Sequence, residues 1–150
     1  MTLNQALNKK ILLVDDDADD RKYFLEALQE IDATVECVTA KDGQQALELL
    51  NNPDFTLPDY IFLDLRIPKI NGKQCLLQIK SDDRLKDIPV IIYTTSREAR
   101  ESEELKKLGA VHFISKPSNP GEIYYVISLA LEEQWTPLNE NQNKNNQALL

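Results

Sequence analysis

Five residues scattered over a hundred positions, Asp15, Asp16, Asp64, Thr94 and Lys116, carry the side chains that phosphoryl chemistry uses. The question begins in the stretch ILLVDDDADD, Ile11 to Asp20, where four apolar residues run into five aspartates. Two unit charges about 4 Å apart repel by roughly 4 kcal/mol at an effective dielectric near 20, so something must offset the crowding. Asp17 is placed to cap a following helix. Asp19 and Asp20 fall in its first turn, where the positive end of the helix dipole favours them. Asp15 and Asp16 need another explanation if Asp64 shares their pocket. Either one carboxylate holds a proton at neutral pH, or a hard divalent cation neutralises the set. Magnesium suits this role because it takes one or two carboxylates, keeps waters and accepts phosphate oxygens. Asp64 is then free to attack phosphorus. The charge that spreads onto the phosphoryl oxygens would meet the metal, the Lys116 ammonium and the Thr94 hydroxyl.

Convergence of these residues requires a scaffold that brings their segments to one edge. Five short apolar runs read as strands: Ile11–Val14, Val35–Thr39, Tyr60–Leu65, Val90–Thr94 and Val111–Ser115. The first, third and fourth are continuously apolar, as in a parallel sheet covered on both faces. Helical spacing separates them, with Phe24, Ala27, Leu28 and Ile31; Ala46, Leu49 and Leu50; Leu76 and Ile79; and Ile123, Ile127, Ala130 and Leu131. Arg97–Leu108 is the weakest helix, with only Ala99, Leu105 and Leu108 apolar. Strict alternation predicts an α/β doubly wound parallel sheet with right-handed crossovers. Ligands of such folds bind outside the carboxyl ends of the strands. Asp15 and Asp16, Asp64, Thr94, and Lys116-Pro117 all stand at those ends.

The 150-residue chain has room for one ordinary domain. Its net charge of −8 argues against phosphate backbones and anionic membranes as direct partners. Cys37 and Cys75 lie inside apolar segments at no metal-ligand spacing, which reads as free buried thiols in a reducing cytoplasm. No apolar run reaches the length of a membrane span, and the first residues lack a signal-type apolar region. The expected division is a flexible arm over residues 1–9, one domain over 10–135, and a disordered Asn/Gln-rich tail over 136–150. With four glycines and no Gly-rich nucleotide loop, the chain is not a kinase. His112, inside a strand, has a structural role rather than that of a phosphodonor.

The quoted residues resemble the receiver domain of two-component response regulators, over roughly Lys10 to Gln134. The resemblance rests on ILLVDDD, FLDLRIPKING, PVIIYTTS and GAVHFISKP. It implies a five-stranded sheet in flavodoxin-like order 2-1-3-4-5. Asp15, Asp16 and Asp64, with the backbone carbonyl of Arg66, would hold Mg²⁺ or Mn²⁺, and Asp64 would accept the phosphoryl group. Thr94 would be the switch hydroxyl, Phe113 the switch aromatic, and Lys116 the phosphoryl contact, followed by a cis bond to Pro117. Phe113 departs from the tyrosine that many receivers carry, so ring packing alone would report the switch. The Arg66 side chain, near the pocket mouth, occupies a position that in receivers tends to influence hydrolysis of the phosphoryl group.

The implied function is a stand-alone, cytoplasmic response regulator. It would take phosphate from a histidine kinase or histidine phosphotransfer protein and signal by binding a downstream protein or a second copy of itself. Nothing after Trp135 reads as a DNA-binding output domain. A haloacid-dehalogenase-type phosphatase would use Asp15 and Asp17 as its D-x-D pair, but leaves Asp64 without a role. A receiver-like interaction module without phosphorylation would usually lack an acid, the acceptor or the lysine. On the last helix, Tyr125 and Leu129 fall outside the inward stripe and mark a possible interface.

Overall fold

The computed structural model describes residues 9–134; the expected tail and most of the expected arm lie outside the described residues. Five parallel strands, β1 (Lys10–Val14), β2 (Glu36–Ala40), β3 (Tyr60–Leu63), β4 (Val90–Thr94) and β5 (His112–Ser115), form one sheet in the order β2-β1-β3-β4-β5. The helices between and after them are α1 (Ala18–Ile31), α2 (Gly43–Asn51), α3 (Gly72–Ser81), α4 (Ala99–Lys107) and α5 (Ile123–Gln134). A short 3₁₀ turn, Pro120–Glu122, leads into α5. The order reverses direction beside β1, because one crossover leads from β1 out to β2 and the next returns past β1 to β3. The switch point therefore falls between the ends of β1 and β3, where Asp15 and Asp64 follow Val14 and Leu63. Val14 and Leu63 are paired in register, and ligands of such sheets bind beyond these strand ends.

Side-chain alternation divides each strand between two cores. Ile11, Leu13, Phe62, Ile91 and Tyr93 pack under α1 and α5 with Phe24, Leu28, Ile123, Ile127 and Leu131. Leu12, Val14, Ile61, Leu63, Val90 and Ile92 pack against α2, α3 and α4 through Leu50, Leu76, Ile79 and Leu105. Both faces are covered, which accounts for the continuously apolar strands. Phe24, Phe62 and Tyr93 meet edge to face with ring centroids 4.9, 5.7 and 6.3 Å apart. That arrangement fixes α1 against the sheet close to where its N-terminus meets the acids.

Three helices have side-chain caps at their starts. Asp17 accepts from Asp20 N, Asp42 accepts from Gln45 N, and Asn71 forms a reciprocal capping box with Gln74. Glu98 before α4 makes no such bond, and Leu105 is the only buried residue of that helix. The weak anchoring expected of this segment is thus present in both its cap and its packing. On α2 the inward residues are Ala46, Leu47 and Leu50, while Leu49 is only partly buried. The i, i+1, i+4 pattern replaces the expected one because the short helix rests on the sheet edge.

β3 stops at Leu63 rather than Leu65 because the chain turns there. The Asp64 Oδ1 accepts from Leu65 N at 2.7 Å and Leu65 O accepts from Gly72 N at 2.9 Å. At Gly72 a Cβ would overlap the carbonyl oxygen of Asp64, so only glycine lets α3 start this close to the site. Among the described residues no helix is long and apolar enough to cross a membrane.

Candidate functional site

Asp15, Asp16 and Asp64 converge at the switch point, with one carboxylate oxygen from each lying within 4.8 Å of the others. Asp15 and Asp64 are buried and Asp16 is exposed, so the cluster has a dry floor and a wet mouth. Lys116, which follows β5, reaches across the sheet edge. Its Nζ donates to Asp15 Oδ2 at 2.7 Å, Asp64 Oδ2 at 2.7 Å and Asp20 Oδ2 at 2.8 Å. Asp15 is further held by a bond from Asp17 N to its Oδ1 at 3.0 Å, and its carbonyl accepts from Arg21 Nη1.

The role of Asp20 was not legible as read from dipole arguments. Asp17 does cap α1, at 2.9 Å to Asp20 N, as expected. Asp20 itself turns inward to Lys116 instead of only favouring the helix dipole. The signal was available: Asp20 is four residues before Phe24, so it extends the buried stripe of α1 toward the sheet edge.

Electrostatics here are dominated by an excess of acid. Burial pushes the Asp15 carboxyl up from its ordinary value, and the Lys116 hydrogen bond only partly offsets this. Burial by itself would pull the Lys116 ammonium down, yet its bonds to Asp15, Asp20 and Asp64 prevail and hold it above its ordinary value. Asp15, Asp20 and Asp64 share a single ammonium, and Asp16 adds a fourth carboxylate beside Asp15 and Asp64. Such a set of hard oxygen donors with surplus negative charge fits a divalent cation, and Asp15, Asp16 and Asp64 are the residues positioned to hold one.

Thr94 ends β4 fully buried, and its Oγ1 accepts from Ser96 N at 3.4 Å. Its carbonyl accepts from Lys116 N at 2.6 Å. Ser96 and Ser115, neither singled out by sequence, tie the loop after β4 to β5 through a Ser115 Oγ to Ser96 O bond of 2.7 Å. Arg97 Nη2 donates to Lys116 O at 3.2 Å. Phe113 is half-buried and packs against the core beneath α4. Arg66 is exposed on the loop after Asp64. The Lys116–Pro117 bond, expected cis, is trans, as are all the described peptide bonds. Lys116 makes all its backbone and ammonium bonds in this geometry, and trans is the form X–Pro bonds prefer by about 0.5–1 kcal/mol.

This arrangement also decides against the D-x-D reading, since the second acid of that pair, Asp17, is engaged in capping α1. The response regulator receiver domain family matches residues 11–128. The chain belongs to that family. Among its relatives, the response regulator Rcp1 of Synechocystis is 30% identical over 85% of this chain and 88% of its own length. The probable transcriptional regulator ycf27 of Guillardia theta is 34% identical over 82% of this chain. The chain spans 45% of that regulator's length and 49% of a second transcriptional regulator's, about half in each case. The phosphorylated cyanobacterial phytochrome response regulator RcpA superposes with a TM-score of 0.78 at 34% identity, covering 85% of this chain and 93% of that one. The Mn²⁺-bound form of Rcp1 superposes with a TM-score of 0.76 at 29% identity, covering 85% and 94%. As a receiver domain, the chain is a member of a family of signalling proteins whose members interact with histidine kinases and downstream targets.

Proposed function

We propose that this receiver accepts a phosphoryl group on Asp64 from a phosphohistidine, in a reaction that depends on Mg²⁺ or Mn²⁺, and signals through phosphorylation-dependent binding of another protein. The observation that carries the reading is Lys116 Nζ bonded at once to Asp15, Asp20 and Asp64 beside the Asp16 carboxylate. When bound, a divalent cation supplies charge neutralisation and a Lewis-acid pull on phosphoryl oxygens. Asp64 Oδ attacks phosphorus, the N–P bond of the donor breaks, and the electron pair returns to the imidazole. Asp64 Oδ1 is already oriented by Leu65 N, which leaves Oδ2 as the reacting oxygen on the side of Lys116. The Lys116 ammonium exchanges part of its carboxylate pairing for a phosphoryl oxygen. Thr94 turns its hydroxyl from Ser96 N toward the new group and draws the loop before α4 with it, while Phe113 repacks.

The proposed binding would use an exposed apolar patch of the receiver. Tyr125 and Leu129 on α5 are 68% and 67% exposed, and Tyr125 stacks edge to face on Tyr124 with centroids 5.5 Å apart. A second copy of the chain, or a downstream partner, would use this patch. The test of the acceptor chemistry is incubation with acetyl phosphate. Asp64 should be labelled only with Mg²⁺ or Mn²⁺ present, and labelling that persists in Asp64→Asn or in excess chelator would overturn the reading.

A further inference from the structure

The Lys116 ammonium has three protons to donate, and each meets a carboxylate: Asp15, Asp20 and Asp64. The three partners do not share one fate in the chemistry. Asp15 and Asp64 belong to the set placed to hold a cation, and Asp64 is also the proposed acceptor. Asp20 stands outside that set, and its carboxylate meets the site through Lys116 at 2.8 Å. A second neighbour of the ammonium is likewise untouched by the chemistry. The buried Tyr93 ring lies with its centroid 5.7 Å from Nζ, within the range of a cation-π attraction. Tyr93 packs edge to face on Phe24, which follows Asp20 by one turn of α1. One aromatic contact therefore fixes both the ring and the helix turn that carries Asp20.

We propose that Asp20 is a positioning residue: with the Tyr93 ring it keeps the Lys116 ammonium seated beside Asp64 when a cation takes the Asp15 and Asp64 carboxylates. The inference rests on the acceptor role given to Asp64. In the transfer a bond forms from Asp64 Oδ2 to phosphorus, the donor's bond to phosphorus breaks, and its electron pair leaves with the donor. Lys116 then exchanges the Asp64 carboxylate for a phosphoryl oxygen. Its charge-assisted bond to Asp20 persists through the step, because neither the metal set nor the new bond uses that carboxylate. Without Asp20 the ammonium sits on a flexible four-carbon stem, with no lasting carboxylate partner at the moment its donor is needed. A donor already aimed stabilises developing charge without reorganising, and one that must first be ordered does not. Asp20 thus acts on the phosphoryl group through Lys116.

The experiment has two readouts on the full chain. Asp20→Ala leaves the α1 cap in place, since Asp17 accepts from the backbone N of residue 20. By NMR of isotope-labelled lysine side chains, the Lys116 ammonium should resist solvent exchange in both wild type and Asp20→Ala without metal. With Mg²⁺ and no phosphodonor, only the wild type should keep that protection. At saturating Mg²⁺, labelling by acetyl phosphate should slow about tenfold in Asp20→Ala, the rate equivalent of one charge-assisted hydrogen bond. Asp20→Asn, whose amide oxygen can still accept from Lys116, should recover part of the rate. In a Lys116→Met background Asp20→Ala should cause no further slowing. Protection that survives Mg²⁺ in Asp20→Ala, labelling of that variant at or above the wild-type rate, or equal slowing in the Lys116→Met background would each overturn the proposal. A wild type that takes no label would instead defeat the acceptor reading, and the exchange comparison, which needs no phosphodonor, would still decide whether Asp20 seats Lys116.

Discussion

Lys116 neutralises part of a buried acidic cluster and is itself kept charged by it. Its side chain is 8% exposed, against 1% for Asp15 and 9% for Asp64. Removing one partner of a buried ion pair leaves the other charge uncompensated, which typically costs about 3–5 kcal/mol. Lys116→Met should therefore lower metal-free stability in urea by about 3 kcal/mol, and Mg²⁺ should restore part of it. Equal stability of variant and wild type without metal would contradict the account. Cys75 gives a second residue-scale expectation. It is fully buried, and burial pushes its thiol up from 9.0 to about 12. In the window between these values the unfolded chain loses the proton and the folded chain keeps it, so stability must fall as pH rises from 9 toward 12. Cys75→Ala should flatten that alkaline limb in urea titrations; an unchanged slope would show that the thiol stays neutral in both states. In the same native protein Cys75 should resist thiol reagents at pH 8.

At the scale of elements, α4 is the helix that the proposed switch would move at least cost. It lacks a side-chain N-cap and buries only Leu105, whereas α1 is capped and sits on an aromatic cluster. Its amides should exchange earlier than those of α1, because local opening is cheapest where burial and capping are least. Beryllofluoride with Mg²⁺ should slow exchange in α4 of the wild type. In Thr94→Ala it should bind yet leave α4 exchange unchanged, since the hydroxyl that reaches Ser96 N is gone. Full protection of α4 in that variant would remove Thr94 from the switch. The elements themselves were legible because continuously apolar runs and 3.6-residue spacing are strong signals, and all five strands formed within two residues of expectation at each end. The inward turn of Asp20 was missed because a first-turn aspartate satisfies the helix dipole without needing a partner. The serines at 96 and 115 were hidden because small hydroxyls acquire meaning only when two loops meet. The trans bond before Pro117 was missed because the cis expectation came from the resemblance, which carries no information on this chain's own packing.

At the scale of the whole molecule, the strand order places every expected site residue except Phe113 and the α5 pair at one edge, and the acids are linked to the proposed contact surface both through β4 and β5 and through α1, which carries Asp20 and packs against α5. Tyr125 and Leu129 add nothing to the core that Ile123, Ile127 and Leu131 already fill. If they form a symmetric contact, the same patch must serve both copies. Analytical ultracentrifugation of wild type and the Tyr125→Glu/Leu129→Glu variant, with and without beryllofluoride, should show association in wild type that beryllofluoride strengthens and the variant loses. Identical behaviour in all four samples would eliminate the patch as a self-association site.

If the acidic cluster makes Asp64 a metal-dependent phosphoryl acceptor, the product is an acyl phosphate, which has a chemical signature of its own. Borohydride reduces it to an alcohol, converting the modified aspartate to homoserine, while free carboxylates are left untouched. The protein treated with acetyl phosphate and Mg²⁺, reduced and digested, should yield homoserine at position 64 and aspartate at positions 15, 16 and 20, and the sample with chelator should yield aspartate at all four. Homoserine at position 15 or 16, or at position 64 regardless of metal, would contradict the account.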